Sequence, residues 1–558
     1  MGKHLWIAAW AGMAALAVPE PGRAEAAPGP VPAASAARIE ADVRFLADDL
    51  LEGRAAGTRG YDLAALYVAT QYRQMGLEPA GDDGGYFERV PLLKGTLQRE
   101  GSRFAITRAG KTTDFEFESQ CLPGVNFFEG SADVTAPMVF VGQAVRAPEL
   151  GHDDLAGVDV RGKIAVMLTN APRQFPIDQR AFHSDSTGKR RELARLGAVG
   201  IITLDDPENE KKRPWVLDAP NWRQPVMRSL DAAGRPHDDF PEIRVRAVCS
   251  VAVADAFFAG SPHTAAEVYE MLEQGRLRSF DLAGTATLAT RATLERIESH
   301  NVIGRLRGSD PRLAAEHVAF TAHLDHLGVG APHGGDAIYN GAQDNAVGVA
   351  TMLEAARQLA DDAAKPKRSV LFVALTAEEM GLLGARQFVA DPTVPLDSIV
   401  ANVNMDMPLL IGDASDVVPI GLEHSTLEPV VRRAAAAAGL TLTPDPFPEE
   451  VIFIRSDQYE FVRAGIPAIY LLSGVKLRDG GDGVKGIAEF LAKRYHLPSD
   501  DVDQPIHWPG AARLAWLNHH IALEIANDPA RPAWKTGDFF GERFGPAAST
   551  AAPAPPGR

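Results

Sequence analysis

Cysteine is nearly absent from this chain: among its 558 residues only Cys121 and Cys249 are cysteines. Two thiols are too few for the disulfide framework of a small secreted scaffold, and too few for a zinc site built from cysteine. They could pair after export or remain buried as free thiols, and the sequence leaves both alternatives open.

Basic clusters are also missing. The formal net charge is −17, with 73 acidic against 56 basic residues, and no dense run of Lys and Arg interrupts this balance. A general affinity for nucleic acid or anionic membranes is therefore not expected.

The N-terminus has the pattern of a signal peptide. Lys3 precedes an apolar run from Leu5 to Val18, and Ala24-Glu25-Ala26 is a small-x-small cleavage signal. The apolar run is shorter than the roughly 20 residues that a spanning helix needs. We therefore predict a signal peptide at 1–26, a periplasmic or secreted mature chain beginning near Ala27, and no stable membrane anchor after cleavage. An uncleaved membrane anchor is the alternative.

The length predicts more than one hydrophobic core. A Pro/Ala-rich linker at 27–37 precedes the first part of a main domain at 38–130. The runs MVFVG, GKIAVMLTN and VGIITL, with the helical segment RRELARLGA, predict a small inserted α/β domain at 131–290. The main domain resumes at 291–530. Residues 531–558 are rich in Pro, Ala and Gly and are predicted to be a disordered tail.

Near-continuous apolar runs characterise the second part of the main domain: HVAFTA, SVLFVALTA and SIVANVNM. Such runs are typical of strands buried on both faces, and NAVGVATMLEAARQLADDA between them reads as an amphipathic helix. The predicted fold class is therefore α/β, with a mostly parallel central sheet flanked by helices.

Acidic and histidine residues follow each of these strands: His323, the pair Glu378 and Glu379, and Asp406. Ligands of open α/β sheets gather beyond the carboxyl ends of the strands, so these groups are predicted to meet in one crevice.

Asp344, at the entrance to the long helix, and His496, in a late loop, complete the set. Nitrogen and oxygen donors without thiolate suit Zn²⁺, and so many ligands indicate two ions joined by a bridging carboxylate. Each residue alone has an ordinary explanation, such as a helix cap for Asp344. Their joint occurrence at strand ends favours a metal site.

The segments AHLDHLG, GAQDNAVG, TAEEMGLLGA, NVNMDM, RSDQYEF and YHLPSDD, in this order, resemble the family-28 metallopeptidases of the MH clan. EGRAAGTRGYDLAA resembles the N-terminal segment of that family, and the insert resembles a protease-associated (PA) domain. The resemblance implies a zinc-exopeptidase fold of the phosphorylase/hydrolase type. It also implies two zinc ions and an aminopeptidase acting on peptides with a free N-terminus.

Carried over to this chain, the resemblance makes Asp344 the bridging carboxylate. His323 and Asp406 would bind one zinc ion, and Glu379 and His496 the other. Glu378 would be the general base, which takes a proton from water and delivers it to the leaving amine.

The resemblance also suggests roles for neighbouring residues. Asp325 would accept the second ring N–H of His323, and Asp500 would act similarly on His496. Tyr495 would either stabilise the oxyanion or simply pack in the core. Gln343 stands where many relatives have an acidic residue, but the bridging position is the following residue, Asp344, which is present. The resemblance also implies a cis peptide bond before Asn345.

Three other functions are considered. A carboxypeptidase on the same centre would need basic groups for the substrate carboxylate, for which Arg455 and Lys476 lie in a suitable part of the sequence. A glutaminyl cyclase commonly uses a single zinc ion. A non-catalytic receptor-like module would have lost metal ligands, but here the set is complete.

Overall fold

The computed structural model describes residues 33–546. The predicted signal peptide, residues 27–32 of the predicted linker and residues 547–558 lie outside the described residues. Within the described chain, two large sheets share one long strand, and helices cover both faces of the sheet that carries the predicted metal ligands.

The strands, in chain order, are β1 (Glu78–Pro79), β2 (Phe87–Leu97), β3 (Arg103–Arg108), β4 (Lys111–Phe115), β5 (Cys121–Pro123), β6 (Ser131–Phe140), β7 (Arg146–Ala147), β8 (His152–Asp153), β9 (Ile164–Met167), β10 (Gly200–Leu204), β11 (Val226–Ser229), β12 (Val245–Cys249), β13 (Phe280–Leu306), β14 (His317–His323), β15 (Gly328–His333), β16 (Asp336–Tyr339), β17 (Ser369–Leu375), β18 (Ile399–Asn404), β19 (Asp416–Ile420), β20 (Thr441–Leu442) and β21 (Ala468–Ser473).

The helices are α1 (Ala33–Leu46), α2 (Arg59–Gln74), α3 (Ile177–Ser184), α4 (Ser186–Arg195), α5 (Pro207–Lys212), α6 (Trp215–Asp218), α7 (Ala254–Phe258), α8 (Ala265–Glu273), α9 (Val347–Asp361), α10 (Leu383–Ala390), α11 (Glu428–Ala437), α12 (Gln458–Arg463), α13 (Gly483–Lys493), α14 (Trp508–Asn527) and α15 (Phe539–Phe544).

The first sheet has the strand order β11-β2-β13-β17-β14-β18-β21-β19-β20. Its four central strands, β17, β14, β18 and β21, run parallel. Antiparallel pairs extend the sheet to β11 on one side and to β19 on the other, where β20 pairs parallel with β19. The two-residue strand β1 also pairs with β13. The predicted α/β class with a mostly parallel central sheet is confirmed.

Both faces of the central strands are covered, which explains their near-continuous apolar sequences. Phe320 and Phe372 point into a core shared with α1, α9 and α14. Ala319 and Leu371, on the opposite face, pack against α10 and α12.

Strand β13 belongs to both sheets. Residues 292–302 of β13 pair with β2 in the first sheet, whereas its N-terminal residues pair with β3 and β6 in the second. The second sheet has the order β4-β3-β13-β6-β9-β10-β12-β5, and its strands β6, β9, β10 and β12 are parallel. It therefore also contains β3 to β5, which precede residue 131 in the chain.

The two cysteines lie opposite each other in the second sheet, on β5 and β12, and form a disulfide bond. Of the two alternatives that the sequence left open, a disulfide or two free thiols, the structure shows the disulfide. Within residues 33–546, no helix is both long enough and apolar enough to cross a bilayer.

The structure differs from the sequence prediction at both ends. Residues 33–37, assigned to the linker, already lie in α1. The predicted disorder is wrong for residues 531–546, where α15 follows an ordered segment and Phe540 is completely buried. The aromatic residues of this segment explain the difference, because Trp534, Phe539 and Phe544 pack on the core around Phe453.

Candidate metal centre

The predicted site residues converge at one edge of the first sheet. His323 is the last residue of β14, and the neighbouring parallel strands β17 and β18 are followed by the Glu378–Glu379 pair and by Asp406. Parallel neighbours end at the same edge of the sheet, so the three segments deliver their side chains to one crevice.

His323, Asp344 and Asp406 form the first group of donor atoms. His323 Nε2 lies 3.0 Å from Asp406 Oδ1 and 3.2 Å from Asp344 Oδ1. All three residues are buried. Burial alone would lower the pKa of His323, but the carboxylates of Asp406 and Glu378 raise it well above its ordinary value. The group therefore offers one imidazole nitrogen and two carboxylate oxygens to a single point.

His496, Glu379 and Asp344 form the second group. His496 Nε2 lies 3.1 Å from Glu379 Oε2 and 3.2 Å from Asp344 Oδ2. Asp344 thus gives one carboxylate oxygen to each group. Burial tends to raise the pKa of Asp344, but hydrogen bonds with His323 and His496 hold it well below its ordinary value.

The donor set fits metal ions. Glu379 Oε1 is buried without a hydrogen-bond partner, since His326 Nδ1 lies 2.6 Å from it but is not aligned for a hydrogen bond. Unpartnered buried polar atoms are costly, and a cation would satisfy them. Imidazole and carboxylate donors without thiolate suit Zn²⁺.

Asp500 fixes the turn before α9, which carries Asp344. Asp500 Oδ1 and Oδ2 accept the backbone N–H groups of Gln343 and Asp344, at 2.9 and 3.0 Å. Asp500 was expected to accept a ring N–H of His496. It instead fixes the backbone of Asp344, the residue whose carboxylate is shared by the two groups. The Asp344–Asn345 peptide bond is cis, as expected.

Asp325 likewise acts on backbone rather than on an imidazole. The nitrogen His323 Nδ1 lies 3.2 Å from the backbone carbonyl oxygen of Asp325, so the predicted contact with the Asp325 carboxylate is wrong. That carboxylate instead accepts the N–H groups of Glu378 and Glu379, at 3.1 and 3.4 Å. Asp325 therefore fixes the turn that carries both glutamates.

Glu378 lies against the first group, and its donor atoms are within 4.8 Å of those of His323 and Glu379. Burial raises the pKa of the Glu378 carboxyl well above its ordinary value. In contrast, the pKa of Glu379 is lowered to about 2: burial acts to raise it, but the charges of His496 and His326 together outweigh that effect. The pKa values of the two adjacent glutamates are therefore shifted in opposite directions.

Tyr495 stacks on His496, with ring centroids 3.8 Å apart, and it also packs against the small apolar cluster of Leu409, Ile487 and Phe490. Burial and the nearby carboxylates of Asp344 and Glu379 raise the pKa of its hydroxyl. Tyr495 is thus both a packing residue and a neighbour of the carboxylates.

Two residues of the site were missed by the sequence analysis. His326, the second histidine of the HLDH segment, is completely buried beside Glu379, and its position three residues after His323 was a usable signal. Arg54, in the EGR segment, is 1% exposed and lies behind the acidic groups. No pattern within EGR indicated that this arginine would be buried.

Arg54 bonds to four backbone carbonyl groups. Its guanidinium donates to Leu324 O at 2.9 Å, Asn340 O at 2.6 Å and Gly341 O at 3.1 Å, and also to Leu46 O. Leu324 directly follows His323, and residues 340–341 immediately precede the turn of Asp344. One side chain therefore ties together the two segments on which the donor groups depend.

Comparisons with known proteins identify peptidases among the relatives of this chain. The chain is 25% identical over 343 residues to a glutamate carboxypeptidase 2 homolog of Caenorhabditis elegans, covering 54% of this chain and 41% of that protein. It is 28% identical over 195 residues to leupeptin-inactivating enzyme 1 of Streptomyces exfoliatus, covering 35% and 40%. The chain thus spans about two fifths of the length of each.

A solved structure, the aminopeptidase from Aneurinibacillus sp. strain AM-1, has a similar fold. It superposes with a TM-score of 0.51 at 20% identity, covering 89% of this chain and 95% of that one. The profile of peptidase family M28 matches residues 301–522, which contain all of the donor residues described above. Residues 301–522 of this chain are therefore a peptidase family M28 domain.

Proposed function

We propose that this protein is a metal-dependent exopeptidase that removes N-terminal residues from peptides. The observation that carries the proposal is the position of Asp344, which places one carboxylate oxygen in each of two histidine–carboxylate groups. The family M28 domain and the resemblance of the strand-end motifs support the same activity.

The two groups would hold two zinc ions: His323, Asp406 and Asp344 one of them, and His496, Glu379 and Asp344 the other. Zinc bound there would supply Lewis acidity, which polarises a carbonyl group and makes water easier to deprotonate. Two ions sharing a carboxylate are typical of aminopeptidases that use this chemistry.

Glu378 is proposed as the general base and acid. Its carboxylate takes the proton of the attacking water and then delivers it to the leaving amine. Burial raises the pKa of this carboxyl, which makes its ionised form a stronger base towards water than an exposed glutamate. The Asp325 carboxylate keeps Glu378 in place by accepting its backbone N–H.

The centre could hold a free amino terminus. A neutral amine could bind one of the zinc ions or donate to the Asp406 carboxylate, whereas an acetylated nitrogen has lost its basic lone pair and carries extra bulk.

A carboxypeptidase is the second candidate, because the Caenorhabditis elegans relative is named a glutamate carboxypeptidase 2 homolog and Arg455 is near Tyr495, which stacks on His496. However, Arg455 Nη1 is already paired with Glu450 Oε2 at 3.1 Å. A substrate carboxylate would have to compete with that ion pair.

The test compares four versions of one peptide with the full chain: unmodified, N-acetylated, C-amidated and modified at both ends. We expect cleavage of the unmodified and amidated peptides and none of the two acetylated ones, because acetylation removes the basic lone pair of the amine and adds bulk. Cleavage of the acetylated peptide together with loss on amidation would establish the carboxypeptidase instead. The Glu378→Gln variant is the blank for contaminating peptidases.

We further propose that the protein acts after export, and that the second sheet with its helices is a PA-like domain that shapes access to the site. The signal-peptide pattern of residues 1–26 supports export, as does the Cys121–Cys249 disulfide, because such bonds persist in oxidising compartments. Recovery of a mature chain beginning near Ala27, measured by mass spectrometry, is the expected result. An intact chain starting at Met1 and held in the membrane would contradict it.

A further inference from the structure

A cavity of about 400 Å³ lies away from the metal centre, where the insert, the main domain and the C-terminal segment meet. Asp178 reaches it from the first turn of α3, and His424 from the short 3-10 helix Leu422–His424. Asp538, the N-cap of α15, lies behind His424. Three segments that are distant in sequence therefore bring one histidine and two aspartates together.

His424 is held in a single orientation. It is 2% exposed, and its ring packs between Phe453 and Phe540, with centroid distances of 4.6 and 5.2 Å. Nδ1 lies 2.7 Å from Asp538 Oδ2, while Asp538 Oδ1 accepts the N–H of Gly541. A carboxylate on one ring nitrogen is the usual support for a histidine whose other nitrogen binds a metal ion.

The other ring nitrogen faces two carboxylates at almost equal distances. His424 Nε2 lies 3.8 Å from Asp178 Oδ1 and 3.9 Å from Glu423 Oε1, which is too far for a hydrogen bond to either. Two ligand atoms that each lie about 2.0–2.2 Å from one zinc ion can be up to about 4.4 Å apart. Each distance therefore leaves room for an ion between His424 Nε2 and a carboxylate oxygen, whereas it is too long for a direct hydrogen bond.

We propose that His424 Nε2, Asp178 and Glu423 bind a further zinc ion, with Asp538 orienting the histidine. One imidazole and two carboxylates suit Zn²⁺ rather than Ca²⁺, which prefers six to eight oxygen ligands. Water in the cavity could complete the coordination of such an ion.

Charge around the cavity favours a cation. Asp178, Glu423 and Asp538 surround one imidazole, and two basic side chains of the neighbouring segments, Arg432 and Lys535, both bind Glu428. The excess of carboxylates is thus left for His424 and the ion.

The ion would fasten the insert to the main domain. Arg180 of α3 already binds Glu449 at 2.6 Å, and Phe182 of α3 packs edge-to-face on Phe539 of α15. A ligand from α3 and two from residues 423–424 add a directional bond to these contacts. The ion therefore has a structural role, separate from catalysis.

The test measures zinc per chain in the full protein after dialysis against metal-free buffer. The double variant Asp178→Asn/Glu423→Gln removes two ligands that are partly or largely exposed, so that the fold is kept. Asp445→Asn is the matched control, because Asp445 lines the same cavity but accepts the N–H of Phe447 instead. We expect the double variant to contain one zinc ion fewer than the wild type and the control.

Equal zinc content in the wild type and the double variant would overturn the proposal and leave His424 in an ordinary ion pair with Asp538. Crystals of the wild type should also show anomalous zinc scattering at His424 Nε2. Neither result depends on peptidase activity, so failure of the proposed function would appear separately, as absent cleavage in the wild type.

Discussion

Replacement of Arg54 by methionine tests how the metal centre is supported. Methionine fills similar space but donates no hydrogen bond, so four buried carbonyl groups, at residues 46, 324, 340 and 341, lose their partner. The positive charge that faces Asp325, Asp500, Asp344 and Glu379 is lost as well.

The magnitude follows from two opposing effects. A hydrogen bond to a charged group contributes roughly 1.5–3 kcal/mol, so the gross loss for four acceptors is about 6–12 kcal/mol. Burial lowers the pKa of Arg54 from 12.5 to about 10, and relief of that burial offsets roughly 3 kcal/mol. We therefore expect Arg54→Met to lower the free energy of unfolding by at least about 3 kcal/mol.

The free energy is measured by urea unfolding of the metal-free protein, and zinc affinity by competition with a chelator. Zinc should bind at least tenfold more weakly to the variant, because the segments beside His323 and Asp344 are no longer tied together. Arg54→Lys should restore part of both quantities. Arg44→Met, which removes an exposed arginine paired only with Glu40, is the control and should change neither. A loss below 1 kcal/mol with unchanged zinc affinity would refute the supporting role of Arg54.

Three further predictions concern other parts of the chain. Glu378→Gln should lower turnover by at least about 10²-fold while zinc content stays unchanged. Glu379→Ala should lower both turnover and zinc content. Loss of zinc from the Glu378 variant but not from the Glu379 variant would mean that the two roles are exchanged. Burial raises the pKa of Glu88 from 4.5 to about 8, so as pH rises the Glu88 carboxyl ionises in the unfolded chain before it ionises in the folded protein. The free energy of unfolding should fall between these pH values, by up to roughly 5 kcal/mol. Glu88→Gln should remove that fall in urea unfolding at about pH 5.5 and 8.5, and an equal pH dependence in both proteins would contradict the assignment. Phe540→Ala should lower the free energy of unfolding by about 3–5 kcal/mol, because the side chain is completely buried. The control Glu542→Ala, at an exposed position of the same helix, should leave it unchanged. Equal effects of the two substitutions would mean that α15 does not pack as described.

The sequence predicted the strands and the convergence of their ends because both depend on local patterns. Near-continuous apolar runs identified β14, β17 and β18, and the acidic or histidine residue after each run could then be placed at one edge of the sheet. No detail of side-chain packing was needed for that step.

The partners of Asp325 and Asp500 could not be predicted in the same way. Each carboxylate accepts backbone N–H groups from a segment distant in sequence, and those groups are available only because of how the turns at 343–344 and 378–379 are shaped. Arg54 was missed for a related reason, since its partners are carbonyl groups, which every residue has. Such contacts depend on tertiary geometry rather than on residue type.

The long strand β13 constrains the order in which the protein can fold. Ala292 pairs with Leu97 and Val302 with Phe87, so roughly 200 residues of chain separate β2 from its partner, and such distant pairings form slowly. During synthesis β2 emerges long before β13, and one of its edges has no partner until the chain has reached residues 292–302. The sheet that carries the candidate metal centre therefore cannot close before translation has passed residue 302. A chain interrupted before residue 292 would leave an edge of β2 unpaired and open to association with other chains.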